Sequence, residues 1–74
     1  MPHISIKHFS AELTRKDRKD LSDVISSAIQ SALQCSEDAI SVSMEEVAPE
    51  DWTTDVYQPE IAAKRQYLIK QPNY

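Results

Sequence analysis

Pro2-His3-Ile4-Ser5-Ile6-Lys7-His8 alternates apolar with polar side chains, Ile4 and Ile6 on one face and His3, Ser5 and Lys7 on the other. Alternation of this kind is the mark of a half-buried strand. Downstream, Thr14 precedes Arg15-Lys16-Asp17, an N-cap with an acidic residue three positions on. Leu21, Val24, Ile25, Ala28, Ile29, Ala32 and Leu33 then recur at helical spacing, an apolar stripe over about four turns. Asp20, Asp23, Ser27 and Gln30 lie off that stripe. A second alternating run follows, with Ile40, Val42 and Met44 opposite Ser41, Ser43 and Glu45.

Strand, long helix, strand makes a βαβ unit, whose strands run parallel and whose crossover is right-handed. The expected class is therefore α+β, with the helix covering the Ile4/Ile6/Ile40/Val42/Met44 face. Pro49-Glu50-Asp51-Trp52-Thr53-Thr54 reads as a polar loop carrying the only tryptophan. Pro59 suits the first residue of a short C-terminal helix, with Ile61, Ala62, Leu68 and Ile69 on its apolar side and Pro72 ending it. Residues 1–74 read as a single domain.

Size bears on assembly. A chain of 74 residues hides only about 60% of its unfolded surface and is marginal alone. Disulfides, metals or oligomerisation usually make up the difference. Cys35 is the only cysteine, so no disulfide closes within the chain. Two strands do not make a stable sheet. A homodimer with a four-stranded sheet is the expected assembly. The polar opposite face (His3, Ser5, Lys7, Ser41, Ser43, Glu45) argues against a hexamer centred there.

Composition removes whole classes of function. Eight Lys+Arg against twelve Asp+Glu give a net charge of −4, the wrong sign for a nucleic-acid partner. Glycine is absent, so phosphate loops of the P-loop and dinucleotide types cannot be built. The apolar runs are too short to span a bilayer. A lone thiol without a secretory signal fits the cytoplasm.

Pro2 follows the initiator methionine. Removal of Met1 leaves a secondary amine free, where proline otherwise has no ionisable group. α-Amino groups titrate near ~7.7–8.0, and apolar surroundings lower that value by disfavouring the ammonium form. Such a nitrogen suits proton shuttling at neutral pH. The plain alternative is a proline that merely starts a strand.

The arrangement resembles the 4-oxalocrotonate tautomerase superfamily: a proline-headed strand, a crossover helix, a second strand, then an aromatic residue at Trp52. Pro2-His3-Ile4-x-Ile6-Lys7-x-Phe9, Pro49-Glu50-x-Trp52, Glu60-Ile61-Ala62 and Leu68-Ile69-Lys70-x-Pro72 are similar to its dimeric branch, the PptA-type bacterial tautomerases related to phenylpyruvate tautomerase. The resemblance implies a cofactor-independent isomerase, with Pro2 moving a proton between the keto and enol forms of a 2-oxo acid. It also implies that Trp52 lines the site.

Two arginines that hold substrate carboxylates in much of the superfamily have no counterpart here. Ser10-Ala11-Glu12-Leu13 and Ser41 stand where they would be. A dicarboxylate would lack a partner for its second charge. The expected substrate is therefore a monocarboxylic 2-oxo acid, phenylpyruvate-like, with an aromatic substituent against Trp52. Arg65 and Lys7 are candidates for holding its carboxylate, with Lys64 beside Arg65. Each has the plain alternative of a solvated surface charge, and Trp52 that of a packing anchor. His8 shares the parity of Ile4 and Ile6 and reads as a partly buried histidine rather than an acid–base partner. No metal site is expected, because His3 and His8 have opposite strand parity.

Two other functions fit the same sequence. One is a superfamily hydratase or dehalogenase, in which a protonated Pro2 acts as an acid. The other is a catalytically silent dimeric binding module, which the missing arginines favour.

Overall fold

The computed structural model describes residues 1–74. Strand β1 (His3–His8) pairs in parallel with β2 (Ser41–Glu46), in a register that sets His3 beside Ser41, Ile4 beside Val42 and Lys7 beside Glu45. Helix α1 (Arg15–Leu33) makes the crossover, and a single 3₁₀ turn (Glu37–Ala39) leads from it into β2. The βαβ reading and its parallel pairing hold.

Local chemistry explains where α1 begins and ends. The Asp17 N–H donates to Thr14 Oγ1 at 3.0 Å, and the Thr14 N–H donates to Asp17 Oδ2 at 3.0 Å. This reciprocal box satisfies two backbone donors that the first turn would otherwise leave open. At the other end Gln34 takes a left-handed conformation, φ 54°, that glycine would normally supply. With no glycine in the chain, Gln34 offsets part of that strain by donating Nε2–H to the Ser31 carbonyl at 2.8 Å.

The apolar stripe of α1 divides in the structure. Ile25 and Ile29, with Ser22, Ser26 and Gln30, are half-buried, while Leu21, Val24, Ala28, Ala32 and Leu33 are exposed. Width is the reason. Two strands about 4.8 Å apart cannot cover a helix about 10 Å across. Leu21, Val24, Ala28 and Ala32 are left as a second apolar flank along the open side of the helix.

The C-terminal segment corrects the sequence reading more substantially. Pro49–Asp51 forms a 3₁₀ turn, Trp52 is already helical, and Thr53–Ala62 is a π-helix with Pro59 inside it. The Pro49–Thr54 stretch is therefore not a loop, and Pro59 does not start the helix. The wide i→i+5 pitch continues to its end, where the Ala63 N–H reaches the Gln58 carbonyl at 3.1 Å. At that pitch, proline's missing N–H leaves only the Thr54 carbonyl without a helical partner. Leu68 and Ile69 fall beyond the helix. A 3₁₀ turn (Arg65–Tyr67) precedes them, and Ile69 is fully exposed.

This segment lies on the Lys7/Phe9 face of β1, since Lys7 meets Glu60 and Phe9 meets Trp52. Helix α1 is left to cover the Ile4/Ile6/Val42/Met44 face. Only Val47 and Val56 are buried. No helix is long and apolar enough to cross a membrane.

Candidate active site

Pro2 stands at the entry to β1, half-buried, and its carbonyl accepts the Ser41 N–H at 3.2 Å. Met1 ahead of it projects wholly into solvent. While Met1 is attached, the Pro2 nitrogen is an amide and carries no base. Immediately beside it, His3 Nδ1 and Ser41 Oγ lie 2.6 Å apart across the parallel ladder, both on the polar face.

The other end of β1 is aromatic. Phe9 meets Trp52 edge to face, with ring centroids 5.0 Å apart at 77°. That geometry places the positive ring edge over a negative π face. The Trp52 indole N–H donates to Tyr74 Oη at 3.3 Å, and Tyr74 lies 6.0 Å from the Tyr57 ring. Lys7, His8, Phe9, Trp52 and Tyr74 together line a predominantly apolar cleft of about 490 Å³. That volume falls within the range of small-molecule sites.

Lys7 forms the rim between this cleft and a second, acidic one of about 510 Å³ lined by Glu45, Glu46, Asp51 and Asp55. Its Nζ donates to Glu60 Oε2 at 2.6 Å, with the lysine side chain 28% and the glutamate 38% exposed. The hydrogen bond it donates to Glu60 raises the Lys7 pKa above the ordinary lysine value. Partial burial opposes that rise, and the charges of Glu60, Glu45 and Asp55 add to it. Arg65 stands outside the cleft, where its Nη2 donates to Tyr57 Oη at 3.1 Å.

The structure thus brings Lys7 and Trp52 to one cleft and leaves Arg65 beyond it. Within one chain Pro2 and Trp52 do not meet. β1 separates them by roughly 20 Å at ~3.3 Å per residue. Phe9, Tyr74 and Glu60 join the cleft and its rim without having been singled out as site residues. Phe9 had a usable signal, because it shares strand parity with Lys7. Tyr74 had none, because its contact with Trp52 depends on how the tail folds back.

A βαβ unit headed by proline, with an apolar cleft at the far end of its first strand, is the arrangement of a tautomerase-type isomerase. Residues 2–58 match the family described as Tautomerase enzyme, and the chain belongs to that family. Along all 74 residues it is 36% identical to Tautomerase PptA of Cronobacter sakazakii, covering 97% of that protein. It is 39% identical to Tautomerase PptA of Klebsiella pneumoniae and 36% to that of Escherichia coli O127:H6, again over 74 residues and 97% of each relative. The PptA-type resemblance read from the motifs therefore extends through the C-terminal segment, beyond the matched family region. An enzyme, rather than a silent binding module, is the function these relationships support.

Proposed function

We propose that this chain catalyses a cofactor-independent keto–enol interconversion of a monocarboxylic 2-oxo acid bearing an aryl group, with Pro2 as the base once Met1 is removed. Neutral Pro2 nitrogen accepts the proton of the enol hydroxyl. As the C–O π bond forms, the enol double-bond electrons reach the neighbouring carbon, and the prolinium returns the proton there. The step is a 1,3-proton shift with no net redox change.

The observation that carries this reading is the cleft itself. It offers aromatic walls for an aryl ring and one cation, Lys7, at the rim for a carboxylate. Arg65, outside the cleft, is a weaker candidate for that charge and would need a neighbouring subunit to use it.

The proposed enzyme is a homodimer. Both strands have an unpaired edge, and two-fold antiparallel pairing of sheets makes four strands from two. That pairing lays the Pro2 end of one subunit beside the Phe9–Trp52 end of the other, which closes the 20 Å gap seen within one chain. Trp52 then walls the site of the partner's Pro2, and its apolar face favours the neutral amine. The single free thiol, Cys35, accords with a cytoplasmic setting.

The test is ketonisation of phenylenolpyruvate, followed by ultraviolet absorbance, on protein whose intact mass shows loss of one methionine. We expect turnover well above buffer for the parent and none for Pro2→Ala. A Pro2→Ala protein as fast as the parent, or a fully processed parent no faster than buffer, defeats the reading. Titrating the Pro2 nitrogen separates base from acid: a pKa well below 8 supports the base, and one well above it supports the hydratase or dehalogenase chemistry.

A further inference from the structure

We propose that His3, oriented by Ser41, donates a hydrogen bond to the substrate's 2-oxo oxygen and stabilises the negative charge that develops there; this rests on Pro2 being the base. Removal of the enol hydroxyl proton loads charge onto that oxygen, and a preorganised donor aimed at developing charge is usually the largest single source of rate. The superfamily arginines that would supply one are absent; of the two cations considered above, Lys7 is assigned to the carboxylate and Arg65 lies outside the cleft. Lys7 is tied to Glu60 at 2.6 Å, and Arg65 to Tyr57 at 3.1 Å.

At the Pro2 end of the sheet, His3 and Ser41 are the first side-chain donors. His3 follows Pro2 directly in the chain. Ser41 is anchored twice, through its N–H to the Pro2 carbonyl at 3.2 Å and through its Oγ to His3 Nδ1 at 2.6 Å. When the Ser41 hydroxyl donates to Nδ1, the imidazole proton sits on Nε2, which is left free to donate outward. Both residues are exposed, so the second nitrogen is open to a ligand.

The charged side chains on the same sheet face are Lys7 and Glu45, paired with each other in register. They lie about 13 Å down the strands from His3, at ~3.3 Å per residue. The freed Pro2 amine is nearer. Within one chain neither strand places a carboxylate at the His3/Ser41 rung, so the His3–Ser41 bond is not part of a structural ion pair.

The experiment measures phenylenolpyruvate ketonisation by His3→Ala, His3→Gln and Ser41→Ala, with Pro2→Ala alongside and thermal midpoints for all four. Loss of one such donor typically costs about 10²-fold or more in kcat. We expect that fall for His3→Ala with KM within about threefold of the parent, since the bond strengthens as charge develops. Gln supplies an amide N–H near the Nε2 position and should restore at least tenfold of the loss. Ser41→Ala should lose about tenfold through the freed ring. Nitrogen-15 spectra of the histidine ring should show the Nε2–H tautomer in the resting protein.

A His3→Ala kcat within threefold of the parent overturns the proposal. So do a KM rise that accounts for the whole loss, a Gln variant no better than Ala, a lowered melting midpoint that tracks the loss, or an Nδ1–H tautomer. If Pro2→Ala is inert while His3→Ala is unaffected, only this inference falls. If Pro2→Ala keeps full activity, or the processed parent has none, the reading beneath it falls too.

Discussion

Replacing Val24 by alanine tests whether the open flank of α1 is where two copies meet. Val24 is 67% exposed, although it sits on an apolar flank with Leu21, Ala28 and Ala32. A buried CH₂ is worth about 0.8 kcal/mol, and the substitution removes two carbons. Two-thirds of that transfer remains to be gained at an interface, about 1 kcal/mol per subunit. A two-fold interface counts it twice, so the dimer should weaken by about 2 kcal/mol, or roughly 30-fold in Kd. Sedimentation equilibrium over a range of loading concentrations reads this directly, and the melting midpoint should become more concentration-dependent. Lys19→Ala, on the solvated side and paired only with Asp23, should leave the constant within threefold. A parent that sediments as a monomer refutes the reasoning, as does a Val24→Ala dimer as tight as the parent's.

Two further outcomes follow from the site. Trp52→Leu should raise KM for phenylenolpyruvate about tenfold, while leaving a 2-oxo acid with only a methyl substituent within threefold; steady-state kinetics on both substrates checks this, and equal losses on the two would remove Trp52 as the aryl wall. Because the folded-state pKa of Lys7 is raised, its ion pair stabilises the fold fully below the ordinary lysine pKa of about 10.4 and fades as pH climbs through the raised value. The melting-midpoint gap between the parent and Lys7→Met should therefore hold from pH 7 to 9.5 and narrow above about 10.5. A gap that stays constant to pH 11.5 contradicts the pair's role.

Legibility in the sequence followed the range of the interaction. The Thr14/Asp17 box spans three residues, and the alternation of Ile4/Ile6 and Val42/Met44 needs only strand periodicity, so the cap and the βαβ order could be read directly. Pro59 misled because a proline in a helix is ordinarily judged against i→i+4 bonding, whereas here the carbonyls are paired at i→i+5. The division of the α1 stripe could not be read from α1 at all, since it depends on the width of a sheet built elsewhere in the chain. The Trp52–Tyr74 contact, 22 residues apart, has no local pattern behind it.

The thin core and the divided site have a common physical origin. One βαβ unit supplies a sheet half as wide as a helix pair needs, so apolar side chains at Val24 and Leu21 remain in water. The same short sheet holds Pro2 at one end of β1 and the Phe9–Trp52 walls at the other. Pairing two copies antiparallel addresses both deficits in one geometric operation, because the rotation that adds strands also exchanges ends. Stability and catalysis should then be linked through a single equilibrium. As the enzyme is diluted below its dimer constant, specific activity should fall in step with the loss of dimer, and Val24→Ala should shift that activity curve to about 30-fold higher concentration, by the same transfer energy. Activity that persists unchanged in dilute monomer would mean that Pro2 finds its apolar wall within one chain, against the 20 Å separation along β1.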